Sequence, residues 1–485
     1  MIAKRKFTMN MPQGNRIDIT RPRVVLCGLR GGSGKTAATI GVIAALRKRG
    51  VSVAPFKKGP DYIDPQWLSL AAERPCRNLD SFFMRREQIL QSVANTSDAK
   101  DVAIIEGNRG LFDGMDETGT YSTADLALQL NSPVILVIDC TKTTRTAAAM
   151  ALGCKALNPD LMIRGVILNQ IACDRQEKII RAAVENEAGT PVIGSIRRLK
   201  DFVFPERNLG LNPPGEHGAA QTVLDRLREA VEAGVNLDEI RTIADSAPLL
   251  CAPLPPKETM LRDEQTTVRI GVIRDEAFHF YYPENLEMLQ MRGAKIVEVN
   301  ALHDYALPSI DALYIGGGFP ERFAEALTDN AMFRYCLRRE IDAGLPVLAE
   351  CGGLIYLSES IDDGQNTHPM AGVFPVAFRV SKRPEGHGYT IVKVDRANPF
   401  FPMGAELRGH EFRYSAVQTC RHDMTQSAFQ MQRGFGFDGE RDGLLYKNCL
   451  ASFCHHHALS HSSWADGLVN QAWLHRRRMY NQSLV

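Results

Sequence analysis

From Pro22 onward, short runs of Val, Ile and Leu alternate with longer stretches whose apolar residues recur every three or four positions. That pattern belongs to parallel strands joined by helical crossovers. Runs at 24–27, 51–56, 102–106, 133–138, 165–168 and 191–196 predict strands, and 35–49, 122–130, 145–157 and 175–187 predict helices. One α/β sheet accounts for the first half. The stretch 245–267 mixes Pro248, Pro253, Pro255 and Pro256 with Leu and charged residues and keeps neither period, which predicts a linker. After it the alternation restarts, with strands expected at 269–273, 296–299, 312–315 and 346–349. Residues 374–453 show strand-like runs between Gly and Pro turns, an antiparallel extension, and a closing helix is expected from about Trp464. The expected division is a flexible tail over 1–21, a domain over 22–244, a linker over 245–267 and a second domain over 268–485. No repeat relates the halves.

Composition narrows the function. The chain has 485 residues, 44% of them hydrophobic, with no apolar run long enough to span a bilayer. Its 57 Lys and Arg against 56 Asp and Glu leave a net charge of +1, so no global field favours nucleic acid or an anionic membrane. Any anion must meet a local site. Eleven cysteines without a C-x-x-C pair, and no secretory leader pattern, predict a reduced, cytoplasmic protein.

Cys27-Gly28-Leu29-Arg30-Gly31-Gly32-Ser33-Gly34-Lys35-Thr36 lies between a strand and a helix. Glycines there let backbone N–H groups crowd round phosphate oxygens, the helix N-terminus adds its dipole, and Lys35 adds a point charge. Thr36 is placed to ligate Mg2+. Leu29 stands where the strict G-x-x-x-x-G-K-[ST] pattern wants its first glycine, so the loop fits better with the dethiobiotin synthetase and MinD/ParA types. A chance GKT in a glycine-rich turn is the competing reading. Glu106 ends an apolar run and is the expected metal-side carboxylate. Lys57, Lys58, Asp61 and Asp64 fall on a Gly/Pro-stiffened loop after the second strand, where parallel sheets place ligands; turn caps are the plainer alternative for either Asp.

In the second half, Leu348-Ala349-Glu350-Cys351-Gly352-Gly353-Leu354 follows a strand and precedes a helical pattern, a nucleophile elbow in which the helix N-terminus should lower the thiol pKa. His455, in Ser452-Phe453-Cys454-His455-His456-His457, is the candidate base. Backbone amides of Gly316-Gly317-Gly318-Phe319-Pro320-Glu321 can form an oxyanion hole. Metal binding by the histidine tract is the alternative.

At these residues the chain resembles the cobyrinate a,c-diamide synthase family, glutamine-dependent amidotransferases acting on tetrapyrroles. The motifs are FKKGPDYIDP (56–65), NLD (78–80), EGNRGLFDG (106–114), STADLA (122–127), GVILNQ (165–170), NLGL (208–211), DEAFHFYYPENL (275–286), GGGFPE (316–321), AECGG (349–353) and RGHEFRYS (408–415). The resemblance implies an ATP-binding amidoligase domain with a P-loop-type parallel sheet, fused to a class I glutamine amidotransferase-like α/β domain. It implies Cys351 as nucleophile, His455 as base, and Gly317, Gly318 and Gly352 at the glutamine and oxyanion site. It assigns Gly32, Ser33, Gly34, Lys35, Thr36 and Asn169 to the nucleotide, Thr36 and Glu106 to Mg2+, and Lys57, Asp61, Asp64 and Asp113 to substrate or acyl phosphate. Its cofactors are ATP and Mg2+, its substrates glutamine and a tetrapyrrole carboxylate, and a homodimer is one arrangement open to it.

The chain departs from the family pattern at Lys58 (usually Val), Leu68 (His), Asn108-Arg109 (an apolar pair), Asn208 (His) and Arg413 (His). Sirohaem amidation or nickel-sirohydrochlorin a,c-diamidation therefore stand beside cobyrinate amidation. A MinD/ParA-like ATPase switch with a partner-binding second domain is the reading from another class, against which Cys351 and the three-glycine strand end argue.

Overall fold

Seven parallel strands form the sheet of the first half, in the spatial order Arg77–Leu79, Val53–Lys58, Val102–Gly110, Arg23–Gly28, Val134–Asp139, Ile163–Ile171 and Val192–Arg197. This computed structural model describes residues 16–98, 100–199, 206–207, 210–211, 213–214, 218–253, 267–421 and 425–482. The central strands are continuous apolar runs because helices cover both faces. Val24, Val25, Leu26, Ile104, Ile105, Leu136 and Val137 are fully buried. Arg23–Gly28 lies in mid-sheet, so the loop after it opens at the carboxyl edge, flanked by the ends of Val102–Gly110 and Val134–Asp139. Register sets the site: Leu26 pairs with Glu106, and Glu106 with Lys57.

The chain divides into two compact units, 1–257 and 258–485. Part of the expected tail and part of the expected linker are ordered differently from the sequence reading. Arg16–Ile19 pairs antiparallel with Leu250–Pro253, Ile17 opposite Ala252. The two segments are more than two hundred positions apart, and no local period announces the pairing. The buried Arg23 adds to this closure by donating to the carbonyls of Leu130 (2.8 Å), Arg21 (3.0 Å), Asn131 (2.9 Å) and Pro248 (2.6 Å). Helices Arg86–Thr96, Ala220–Glu232 and Leu237–Asp245 were not among the expected elements. Asp64 was expected on a loop, yet it opens the helix Asp64–Ala72, with Pro65 in its first turn.

The second unit carries a ten-stranded mixed sheet. Ala294–Val299, Val268–Ile273, Ala312–Ile315, Val347–Glu350 and Cys449–Ser452 run parallel. Arg441–Tyr446, Gln426–Arg433, Gly386–Val394, Glu406–Arg413 and His455–His456 continue it antiparallel. Only Phe453 and Cys454 separate Cys449–Ser452 from His455–His456, yet these stand at opposite ends of the antiparallel run. The run must therefore curl back on itself, which carries His455 round to the carboxyl end of Val347–Glu350. Helix Ser463–Gln482 closes the unit, its Trp464 buried against Tyr314. Among the described residues no helix is long and apolar enough to cross a membrane.

Candidate active sites

The first site forms where the strand Arg23–Gly28 turns into the helix Lys35–Lys48. Gly32 and Gly34 take positive φ angles of 71° and 78°, the left-handed turns that a phosphate-cradling loop needs. Gly28 compensates for the misplaced first glycine: a Cβ there would lie 2.0 Å from Ser33 Oγ. Asn169 Nδ2 donates to the Ser33 carbonyl at 2.9 Å and packs against Gly34, so the amide positions the loop and leaves Oδ1 as its acceptor.

Behind the loop lies a buried charge cluster. Lys57 Nζ is 2.5 Å from Asp64 Oδ2, 2.9 Å from Glu106 Oε1 and 3.9 Å from Asp61 Oδ2. Thr36 Oγ1 donates to Glu106 Oε1 at 2.5 Å and lies 3.4 Å from Asp64 Oδ2. Burial works against the Lys57 ammonium, but Asp64, Glu106 and Asp61 outweigh it and raise its pKa. Burial raises Asp61, and the Asp64 charge adds to it; Asp64 itself is held low, against burial, by Lys57. Glu106 is raised by burial, with Lys57 opposing.

These residues fit a hard cation. Glu106 Oε2 is buried without a hydrogen-bond partner, beside the Thr36 hydroxyl. No group of three or more His, Cys, Asp or Glu among the described residues is arranged to hold a metal unaided. An ion here would therefore complete its shell with phosphate oxygens and water, as Mg2+ does. Lys35 closes the loop, largely buried, at the start of its helix. Asp113 stands apart from the cluster: it is exposed, and its Oδ2 accepts the Gly110 N–H at 2.8 Å in the turn facing Leu29. Of the departing residues, Lys58 is buried 3.8 Å from Asp80, Leu68 is core, and Arg109 is exposed with φ 49°. Asn208 lies outside the described residues.

The second site is built on the elbow. Val347–Glu350 ends at Cys351, whose φ of 48° is a left-handed conformation rare outside glycine, and the helix Gly352–Tyr356 follows. The glycines bring the remaining parts together. A Cβ on Gly352 would lie 3.0 Å from the Gly318 amide nitrogen, and one on Gly317 would lie 2.4 Å from His455 Cε1. Cys351, the 317–318 backbone and His455 thus share one cradle. Cys351 Sγ also reaches the Phe412 carbonyl at 3.9 Å. His410 stacks on His455 with centroids 4.8 Å apart and planes 17° from parallel.

The expected lowering of the thiol pKa is not what this environment produces. Burial pushes Cys351 up to about 12, with the Arg413 guanidinium the main opposing influence. Burial likewise pulls His455 down to about 4, with Glu350 opposing. Both groups are neutral near pH 7, so the pair is a thiol beside a neutral imidazole, and the nucleophile is made by proton transfer during attack.

Three contributors were given no role at the thiol site in the sequence reading, where Arg413 appeared only as a departure and Glu350 and His410 only inside motifs. Arg413 is pinned by the carbonyls of Ser415 and Gly436 and lies 3.8 Å from the Phe453 ring centroid, which fixes a cation near the thiol. His410 holds one face of the base, and Glu350 lies beside it. The three histidines of the tract diverge: His455 faces Gly317, His456 Nδ1 lies 3.6 Å from Glu350, and His457 Nε2 lies 3.7 Å from Glu284.

Residues 24–210 match the CobQ/CobB/MinD/ParA nucleotide binding domain, and 269–463 match the CobB/CobQ-like glutamine amidotransferase domain. The chain is similar to cobyrinate a,c-diamide synthase of Magnetococcus marinus, at 41% identity over 92% of this chain and 96% of that protein. It is similar to the Archaeoglobus fulgidus cobyrinate a,c-diamide synthase at 41% identity over 93% and 97% of the two chains. The Methanosphaera stadtmanae protein of that name is 42% identical over 90% and 95%. With both sites carried on one polypeptide and these relatives matched nearly end to end, the chain belongs to the cobyrinate a,c-diamide synthase family.

Proposed function

We propose that this chain amidates the a and c acetate carboxylates of cobyrinate, using ATP to activate each acid and glutamine as the nitrogen source. The observation that carries the reading is the pairing, in one chain, of a phosphate loop backed by Glu106 and Lys57 with a thiol elbow whose glycine cradle holds an imidazole.

A carboxylate resists ammonia because oxide is a poor leaving group and the anion repels nucleophiles. In the first unit the acetate oxygen attacks the γ-phosphorus, ADP departs, and an acyl phosphate forms. Mg2+, held by Thr36 and Glu106, would neutralise charge on the phosphoryl oxygens. Lys35 and the loop amides hold the phosphates. Lys57, surrounded by carboxylates, offsets part of their charge and so eases the approach of an anionic acetate. Ammonia then attacks the acyl carbon and phosphate leaves.

In the second unit Cys351 Sγ attacks the glutamine amide carbon while His455 takes the thiol proton. The N–H groups at 317, 318 and 352 are the donors available to the oxyanion. His455 returns the proton to the departing nitrogen, ammonia is released, and water hydrolyses the thioester to glutamate.

The test is to incubate the enzyme with Mg-ATP, glutamine and either cobyrinate or sirohaem, and to weigh the products by mass spectrometry. Cobyrinate should become its diamide with ADP formed. Unchanged cobyrinate, or amidation of sirohaem alone, would overturn the assignment.

A further inference from the structure

A base that takes a thiol proton needs a third group to fix its tautomer and to stabilise its cation. The chain after His455 offers His456, His457, Ala458 and Leu459 but no acid. The acid lies on the other side of the elbow. Glu350, one residue before the nucleophile, is fully buried, and its Oε2 is 3.8 Å from His455 Nδ1. The carboxylate is tightly held: Oε2 accepts from the Tyr314 hydroxyl at 2.9 Å, and Oε1 accepts from the His456 N–H at 3.2 Å and the Trp464 indole at 3.4 Å. Such fixing takes away the freedom a glutamate side chain would otherwise lose on each turnover.

The ring's orientation completes the geometry. A Cβ on Gly317 would lie 2.4 Å from Cε1 and 3.2 and 3.4 Å from Nε2 and Nδ1, so the ring presents its Cε1 edge to Gly317. Nδ1 then points toward Glu350, which leaves Nε2 on the other side of that edge. His410 stacked on the face limits tilting.

We propose that Glu350 is the positioning residue for His455: its carboxylate holds Nδ1–H, directs Nε2 to the Cys351 proton, and stabilises the imidazolium while the thioester forms. The inference rests on the glutaminase reading above. The proton moves from Sγ to Nε2 and then to the departing amide nitrogen; Glu350 stays a carboxylate throughout. The 3.8 Å separation closes to hydrogen-bond length as glutamine fills the cradle, since catalytic contacts are commonly loose before substrate binds. The titratable groups round His455 are Glu350 and Cys351 at the elbow, His410 on Glu406–Arg413, and His456 beside it; Glu321 acts on Cys351, and Tyr314 acts through Glu350.

The experiment measures glutamate release from glutamine by wild type, Glu350→Gln and Glu350→Asp, each also in a His455→Ala background. Glu350→Gln should lower kcat about 10²-fold with the KM for glutamine within about threefold, and Glu350→Asp should recover part of the loss. In the His455→Ala background the Gln substitution should cost nothing further. Equal losses with and without His455, or a kcat within threefold of wild type, would overturn the proposal. Should Glu350→Gln fail to fold, Tyr314→Phe serves instead: freeing Oε2 should move the acid limb of kcat/KM upward, and an unmoved limb would overturn it. No glutamine hydrolysis by wild type would instead overturn the glutaminase reading, and this inference with it.

Discussion

One methyl group at Gly317 should disable glutamine hydrolysis while leaving the fold in place. Gly317 does not need glycine for its backbone angles; it needs it for space. The added Cβ of Gly317→Ala would stand 2.4 Å from His455 Cε1, where carbon atoms settle at roughly 3.5–4.0 Å. The ring must retreat about 1 Å in its own plane, away from the cradle, because His410 stacks on its face. A displacement of about 1 Å costs on the order of 10²-fold in rate, or about 2.7 kcal/mol in the barrier. Overpacking should cost about 1–3 kcal/mol of stability, so thermal denaturation is followed in parallel. The assay couples glutamate release to a dehydrogenase and is set beside amidation driven by ammonium chloride. Glutamine hydrolysis should fall about 10²-fold while the ammonium-driven reaction holds. Gly318→Ala is the contrast: its Cβ would meet the Ala277 carbonyl oxygen at 1.9 Å, backbone that cannot move aside, so this variant should lose stability outright. A Gly317→Ala protein that folds and hydrolyses glutamine within threefold of wild type would refute the cradle as described.

Three further outcomes follow from the same structure. With His455 lowered to about 4 and Cys351 raised to about 12, the free enzyme keeps a neutral base above the first value and a protonated thiol below the second. The kcat/KM for glutamine should therefore be flat from about pH 6 to 9, whereas limbs inside that window would indicate a standing thiolate–imidazolium pair. Glu106→Gln removes the buried Oε2 and one of the charges on Lys57, so ATP-dependent amidation should drop at least about 10²-fold with glutamine hydrolysis retained; retained amidation would remove Glu106 from the metal side. Arg23→Met strands four carbonyl acceptors and should destabilise the first unit by about 3–6 kcal/mol, read from urea denaturation, and a loss under 1 kcal/mol would contradict the clamp.

What was legible in the sequence was local. The phosphate loop and the thiol elbow are each a strand, a glycine turn and a helix in succession, so Gly34, Lys35, Thr36, Cys351 and Gly352 announce themselves within a few residues. Most parallel strands were equally visible, because burial on both faces leaves unbroken apolar runs, but Arg77–Leu79, short and polar at the sheet edge, was missed, and Cys449–Ser452 was read as part of the antiparallel extension. What escaped depends on contacts between distant segments. Glu350 reads as a strand residue until Tyr314, Trp464 and His455 converge on it. Arg413 approaches the thiol only because the antiparallel strands curl back. Arg16–Ile19 finds its partner at Leu250–Pro253 across the whole first unit. The thiol pKa was misjudged for a related reason: the helix after Cys351 spans only five residues, and burial in the core outweighs it. Asp64 was the avoidable miss, since Asp followed by Pro is a helix-opening signal. The extra cation at Lys58, read as a mark of a different ring, is already set against Asp80 inside the protein.

The central claim is that one polypeptide activates an acid in its first unit and frees ammonia in its second. Cys351→Ser tests it most directly, with cobyrinate and Mg-ATP supplied alongside either glutamine or ammonium chloride and the diamide counted by mass spectrometry. The account predicts that diamide formation from glutamine disappears and formation from ammonium persists at the wild-type rate. Loss of both, or survival of the glutamine-driven reaction, would contradict it.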